Sequence, residues 1–95
     1  MRFDSPDLIA EELERFIRRQ FQVAASDDQF ARDVNLWEGG YVDSIGVAEV
    51  IAFLEDTFVV TIPTETLFDP DFVHIGGIAR IVHELRTDTA KLASE

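Results

Sequence analysis

The chain has 95 residues, 46% of them apolar and 28% charged, and it carries no cysteine. That length supports one small domain, and the missing cysteines exclude a disulfide scaffold, a zinc ribbon and a cysteine nucleophile. Eight Lys and Arg against 19 Asp and Glu give a net charge of −11, a surface that repels nucleic acid and anionic lipid.

The first element is opened by Ser5-Pro6, with Ser5 as N-cap and Pro6 at the first helical position. Leu8, Ile9, Leu13, Phe16, Ile17 and Phe21 then recur at helical steps, and Glu11, Glu12, Glu14, Arg15, Arg18 and Arg19 make a solvated face. A helix from about 6 to 21 follows. Residues 22–42 read as a long loop, with turn signals at Asp27-Asp28 and Gly39-Gly40. Phe30, Val34, Leu36 and Trp37 are the apolar side chains that can pin such a loop to a core.

A second helix begins at Asp43-Ser44, with Asp43 as N-cap and Val42 and Val47 at the two positions of a hydrophobic staple. Val47, Val50, Ile51, Leu54 and Phe58 form its apolar stripe. Val59-Val60-Thr61-Ile62 is short and stopped by Pro63, so it reads as an extended connector rather than a strand. Thr64 to Phe68 makes one short helical turn, ended near Asp69-Pro70. A last helix from about 75 to 87 has Ile75, Ile78, Val82 and Leu85 as its apolar stripe, with Ile81 at the edge, and residues 88–95 are expected to fray. The sum is an all-α fold: a small bundle of three main helices plus one short helix, with a long first loop. It is one domain over 1–95 with its core at about 5–87.

No apolar run is long enough to span a membrane, and Met1–Asp7 lacks the apolar core of a signal peptide. The expected protein is soluble, cytoplasmic and monomeric. Its charge is uneven: Asp27 to Asp71 holds 11 acidic residues and one basic residue, Arg32. Such a middle suits a basic partner, or simple solubility.

Enzyme and metal motifs fail on inspection. Val42-Asp43-Ser44-Ile45-Gly46 lacks the first glycine of a nucleophile elbow, and no strand precedes it. His74 and His83 are nine residues apart and do not share a helix face, so no metal site is expected from them. Calcium loops started at Asp33 or Asp69 would need glycine at their sixth positions, where Glu38 and His74 stand. What survives is Ser44, at the first turn of an amphipathic helix, where free backbone amides and the helix dipole favour an anion. A plain Asp-Ser cap accounts for the same two residues.

The stretch Gly40-Tyr41-Val42-Asp43-Ser44-Ile45-Gly46 resembles the G-x-x-D-S-[LMI]-G region of the acyl and peptidyl carrier proteins. Glu49, Leu54, Glu55 and Phe58 fall where that family's second helix carries acids and core apolars. Val60-Thr61-Ile62-Pro63 is similar to its V-x-I-P connector, and Phe72 to Ala79 to its lead into the last helix. The resemblance covers Leu36 to about Leu85 and implies the four-helix carrier fold.

It further implies that Ser44 is the attachment point of 4′-phosphopantetheine. A phosphopantetheinyl transferase would move that group from coenzyme A in a magnesium-dependent step, with Asp43 part of its recognition. The arm's thiol would then carry an acyl or aminoacyl thioester, and the protein would present it rather than catalyse. Ile45, Ala48 and Ala52, edged by Glu49, Glu55 and Asp56, lie off the core stripe. Given the resemblance they form the expected docking strip for a loading ligase, acyltransferases or synthases that carry basic patches, with a plain solvated helix face as the alternative. The acid-rich middle and the absence of flanking linkers suggest a discrete, stand-alone carrier, and the Gly40-to-Gly46 form resembles carriers of small acyl or aminoacyl units, as in polyketide, nonribosomal peptide or D-alanyl transfer, more than the housekeeping fatty-acid carrier.

Some residues depart from the family pattern. Ile45 replaces the usual leucine or methionine, and Gly46 weakens a first turn. His74 stands where Ser or Thr is the usual cap and Gly76-Gly77 follow, so a loose start to the last helix is expected. Trp37 and Tyr41 read as loop anchors, with contact to the arm as the alternative. Two rivals stand beside carriage: an unmodified helical interaction module, and a small hydrolase using Ser44, which lacks a plausible base near it in sequence.

Overall fold

A computed structural model describes residues 5–93, with side chains through Thr87. Three α-helices carry the fold: α1 (Pro6–Gln20), α2 (Ser44–Phe58) and α3 (Ile75–Ala93), with one 3₁₀ turn, Thr64–Phe68, between α2 and α3. Among the described residues there is no strand, and no helix is long and apolar enough to cross a membrane.

The ends of α1 follow from local chemistry. Ser5 is extended and its Oγ accepts the Leu8 amide, while Pro6 sits where its missing N–H costs nothing. The helix stops at Gln20 without a glycine. Gln22 turns left-handed at φ 54°, and the Val23 amide reaches back to the Arg18 carbonyl, the six-to-one bond of a Schellman stop. Val23 then packs against the core, which offsets the cost of a left-handed non-glycine residue.

α1 lies along α3, and α2 meets α3 over a shorter contact. Ile9, Leu13 and Ile17 of α1, Val50, Leu54 and Phe58 of α2, and Ile75, Ile78 and Val82 of α3 are buried together. Burying each such side chain contributes about 2 kcal/mol. Val47 and Ile51, placed on the same stripe by their spacing, are only half-buried. Between Phe58 and Val60, both buried, Val59 is left-handed at φ 55° with its side chain 82% exposed. A β-branched residue there is strained, and the buried neighbours hold it.

The loop from Phe21 to Asp43 is tied down rather than structureless. Phe30 and Leu36 are buried, and Val34, Trp37 and Tyr41 pack against the core. Asn35 Oδ1 accepts the amides of Trp37 and Glu38, and the Leu36 carbonyl accepts those of Tyr41 and Val42. The loop also stitches to the start of α3: the Leu36 amide donates to the Val73 carbonyl at 2.7 Å, and the Gly76 amide to the Arg32 carbonyl at 3.0 Å. Trp37 Nε1 donates to the Phe72 carbonyl at 3.2 Å.

Two expectations are corrected. The start of α3 is not loose. His74 does the work of the absent Ser or Thr, its Nδ1 accepting the Gly77 amide at 2.8 Å, while its carbonyl accepts the Ile78 amide. Gly77 is required there, because a Cβ would sit 2.0 Å from the Asp71 carbonyl oxygen. The last helix also does not end near 87. It runs to Ala93, because no glycine or proline follows Gly77 and Ala90-Lys91-Leu92-Ala93 are good helix formers. The helical backbone thus takes in 88–93 of the tail; residues 94 and 95 lie outside the described ones.

An ionic link ties the loop to α1. Glu14 accepts from Arg18 on its own helix and from Arg32 of the loop, both at 3.2 Å, and Arg18 lies over the Phe30 ring at 4.6 Å. Partial burial pushes the Glu14 carboxyl up, but the two guanidinium groups together outweigh it and hold it below the ordinary glutamate range.

Gly77→Ala is expected to cost about 3 kcal/mol or more. Gly76→Ala, whose Cβ meets nothing closer than 3.6 Å, stays within about 0.5 kcal/mol of wild type. Urea denaturation of the two variants checks the contrast. Glu14, with its lowered folded-state pKa, contributes stability that is complete at neutral pH and lost as the pH falls through that value. Glu14→Gln should thus be less stable than wild type at neutral pH, and the two urea midpoints should converge on acidification below the ordinary glutamate range.

Candidate functional site

Asp43 and Ser44 divide the start of α2 between them. Asp43 is extended and exposed, and its Oδ1 accepts the Gly46 amide at 2.7 Å while its carbonyl accepts the Val47 amide. The capping work falls to Asp43, so the hydroxyl of Ser44, an exposed residue, is not spent on it. The first two amides of the helix, those of Ser44 and Ile45, are not taken by Asp43 and stand at the positive end of the dipole.

The chain is delivered to this point by a turn that needs glycine. Gly40 has φ 80°, a left-handed value that a side chain would strain. Tyr41 then packs edge-on against Phe30, ring centres 5.0 Å apart, and donates its hydroxyl to Asp27 at 3.0 Å. Partial burial and that carboxylate push the Tyr41 phenol above its ordinary value. Trp37 and Tyr41 are loop anchors, as the simpler reading of the sequence had them.

Gly46, a weak helix former in the first turn, has a packing reason. It is buried, and a Cβ there would lie 2.7 Å from the Phe21 ring and 2.9 Å from Val42. The missing side chain lets Phe21, just past the end of α1, close against the start of α2.

The expected docking strip is on the surface. Ile45 is 75% exposed, and Ala48, Glu49, Ala52 and Asp56 are exposed along the same helix. Their spacing puts Ile45, Ala48 and Ala52 on one face. Glu55 behaves differently from the strip's other acids. It is half-buried, and its Oε2 accepts the Ile62 amide at 2.9 Å, so its charge holds the Val59–Ile62 connector.

Two contacts around α2 are not foreseen from the sequence. Phe16 of α1 stacks on Phe53 of α2, centroids 4.1 Å apart and planes 11° from parallel, and Gln20 donates to Glu49 at 3.2 Å. Phe53 lies off the core stripe of α2; a large aromatic at a flank position is the one signal that a second contact exists there. Phe68, 81% exposed in the 3₁₀ turn, is a further apolar side chain that the sequence reading left without a role. Among the described residues no group of three His, Asp or Glu is placed to hold a metal ion.

No family model matches the chain, and no similar curated protein is found for it.

Asp43→Ala should cost about 1 kcal/mol in urea denaturation, because the Gly46 amide loses its acceptor. Asp43→Ser should retain most of the stability.

Proposed function

We propose that this protein is a discrete acyl or aminoacyl carrier with the four-helix carrier fold, the Thr64–Phe68 turn serving as the short helix, and that Ser44 bears 4′-phosphopantetheine. The observation that carries the reading is an exposed serine at the first position of α2, released from capping by its neighbour Asp43, within a Gly40-to-Gly46 stretch of carrier type.

The attachment step balances on the chain's own hydroxyl. Ser44 Oγ attacks the pantetheine-side phosphorus of coenzyme A, a new P–O bond forms, and the pyrophosphate P–O bond breaks. Adenosine 3′,5′-bisphosphate leaves, and the serine proton passes to a base of the phosphopantetheinyl transferase. The residues present suit the product. A phosphodiester on Ser44 would carry its negative charge beside the first amides of α2, where the dipole favours it. The chain has no thiol of its own to compete with the arm's.

A carrier adds no barrier-lowering groups. It raises the effective concentration of a tethered thioester before each partner, and this asks for a rigid mount with a reachable attachment atom. In this reading a transferase, a loading ligase and acyl-transferring enzymes meet Asp43 and the strip of Ile45, Ala48, Glu49, Ala52 and Asp56 through basic patches. Such encounters are fast, weak and salt-sensitive. The protein works as a cytoplasmic monomer in assembly of polyketide- or nonribosomal-peptide-type products.

Incubation with coenzyme A, magnesium and a broad-specificity phosphopantetheinyl transferase should raise the intact mass of the wild type by one phosphopantetheine and leave Ser44→Ala unchanged. A folded wild type whose mass does not move would leave an unmodified interaction module as the better reading.

A further inference from the structure

The long loop and the first turn of α3 meet around His74. The amide of Gly77, a buried residue, donates to His74 Nδ1 at 2.8 Å, and the Ile78 amide donates to the His74 carbonyl at 2.9 Å. The chain on either side of His74 is stitched to the loop. The Val73 carbonyl accepts the Leu36 amide, the Phe72 carbonyl accepts Trp37 Nε1, and the Gly76 amide donates to the Arg32 carbonyl. The other two α-helices are capped by oxygens, those of Ser5 and Asp43, which accept at neutral and mildly acidic pH alike. An imidazole nitrogen accepts only while it carries no proton, because the imidazolium has a donor at both nitrogens. Histidine is also the side chain whose charge ordinarily changes between about pH 5 and 8.

The surroundings do not hold a charge on this ring in place. His74 is half-buried, and among the described residues it belongs to no ion pair. Asp71, three residues before it, is taken by Arg80 at 2.5 Å, and Arg80 also binds Glu84. Asp69 spends its Oδ1 on the Asp71 amide. On the loop side Arg32 keeps its guanidinium on Glu14 of α1, and Asp33 is exposed. Gly77 is crowded as well: a Cβ there would lie 2.0 Å from the Asp71 carbonyl oxygen and 2.7 Å from His74 Cε1. An amide freed in such a place reaches water only if the turn opens. The net charge of −11 favours uptake of a proton by any base that solvent can reach.

We propose that His74 is a proton-operated latch on the loop between α1 and α2. Unprotonated at Nδ1, the ring caps α3 and keeps the Leu36, Trp37 and Gly76 bonds in register. A proton taken from solvent turns Nδ1 into a donor that faces the Gly77 N–H, so the ring leaves the cap and the first turn of α3 opens. The bonds on either side loosen with it, and the stretch that delivers the chain to Asp43 is released. The sign follows from proton binding. The closed state keeps Nδ1 free and the open state accepts the proton, so acidification favours the open state. The latch involves no group on Ser44 and stands apart from the carrier reading.

The test uses the full, unmodified chain between about pH 7.5 and 5.5, above the range in which ordinary carboxylates titrate. In the wild type the hydrogen-exchange protection of the Gly77 amide, corrected for the intrinsic pH dependence of exchange, should fall at least about fivefold across that range. Protection of the Leu36 and Gly76 amides should fall with it, while that of Val50 and Leu54 in α2 holds. Trp37 is the chain's only tryptophan, and its emission should change over the same range as it leaves the Phe72 carbonyl. His74→Asn, whose side-chain oxygen caps throughout this range, should abolish the pH dependence, and His74→Ser takes its place if that variant does not fold. A folded His83→Gln should keep the dependence in full. The proposal is overturned by unchanged protection of Gly77 in the wild type, a measurement that needs no variant. An equal fall at Val50 and Leu54, which marks global unfolding, overturns it too. So does a pH dependence that persists in a folded His74 variant or vanishes in His83→Gln.

Discussion

The structure depends on the stitching of one irregular segment to the start of α3. A loop as long as that between α1 and α2 must satisfy its own backbone groups or stay in water. Here the loop gives its Leu36 amide to the Val73 carbonyl, and its Arg32 carbonyl accepts the Gly76 amide. Those bonds run between segments distant in sequence, and they hold only because Phe30 and Leu36 are buried on the same side. The loop thereby satisfies a helix start that His74 alone would leave half capped, and the helix start in turn fixes the loop. Asp43 and Ser44 stand where they do as the downstream end of this arrangement.

At the start of α2, neighbouring residues separate tasks that a single side chain often combines. Asp43 caps, Gly46 gives way to Phe21, and Ser44 is left with an uncommitted, exposed position. Further along the helix a similar division separates acids that look equivalent. Glu55 is spent on the Ile62 amide and holds the connector, whereas Glu49 and Asp56 face outward without ionic partners among the described residues. The acidic character of α2 is thus partly architecture and partly available for recognition, and the distinction is one of hydrogen-bond geometry rather than charge count.

Much of this was legible in the residues themselves. Ser5-Pro6 and Asp43 mark two helix starts, because capping chemistry is local and needs only three or four residues to act. The Val50, Leu54 and Phe58 stripe marks the inward face of α2 for the same reason: periodicity is a property of one helix. The end of α1 was less legible, since Gln22 takes a left-handed conformation usually given to glycine, and it does so because Val23 finds the core. The cap on α3 was misread because a histidine is rarely an acceptor for a helix amide, and its role depends on a ring nitrogen turned toward Gly77.

The sequence by itself determined the helical class, the three main helices and the surface position of Ser44, Ile45, Ala48 and Ala52, because each follows from spacing within a single element. Only the tertiary structure decided that Phe16 meets Phe53, that Gln20 meets Glu49, that Gly46 makes room for Phe21, and that Arg32 closes both on Glu14 and on the first turn of α3. Those pairs join residues far apart in the chain, and no local pattern encodes them; they arise when the apolar stripes of separate helices are buried together and the polar groups carried along find whatever partners that burial sets beside them.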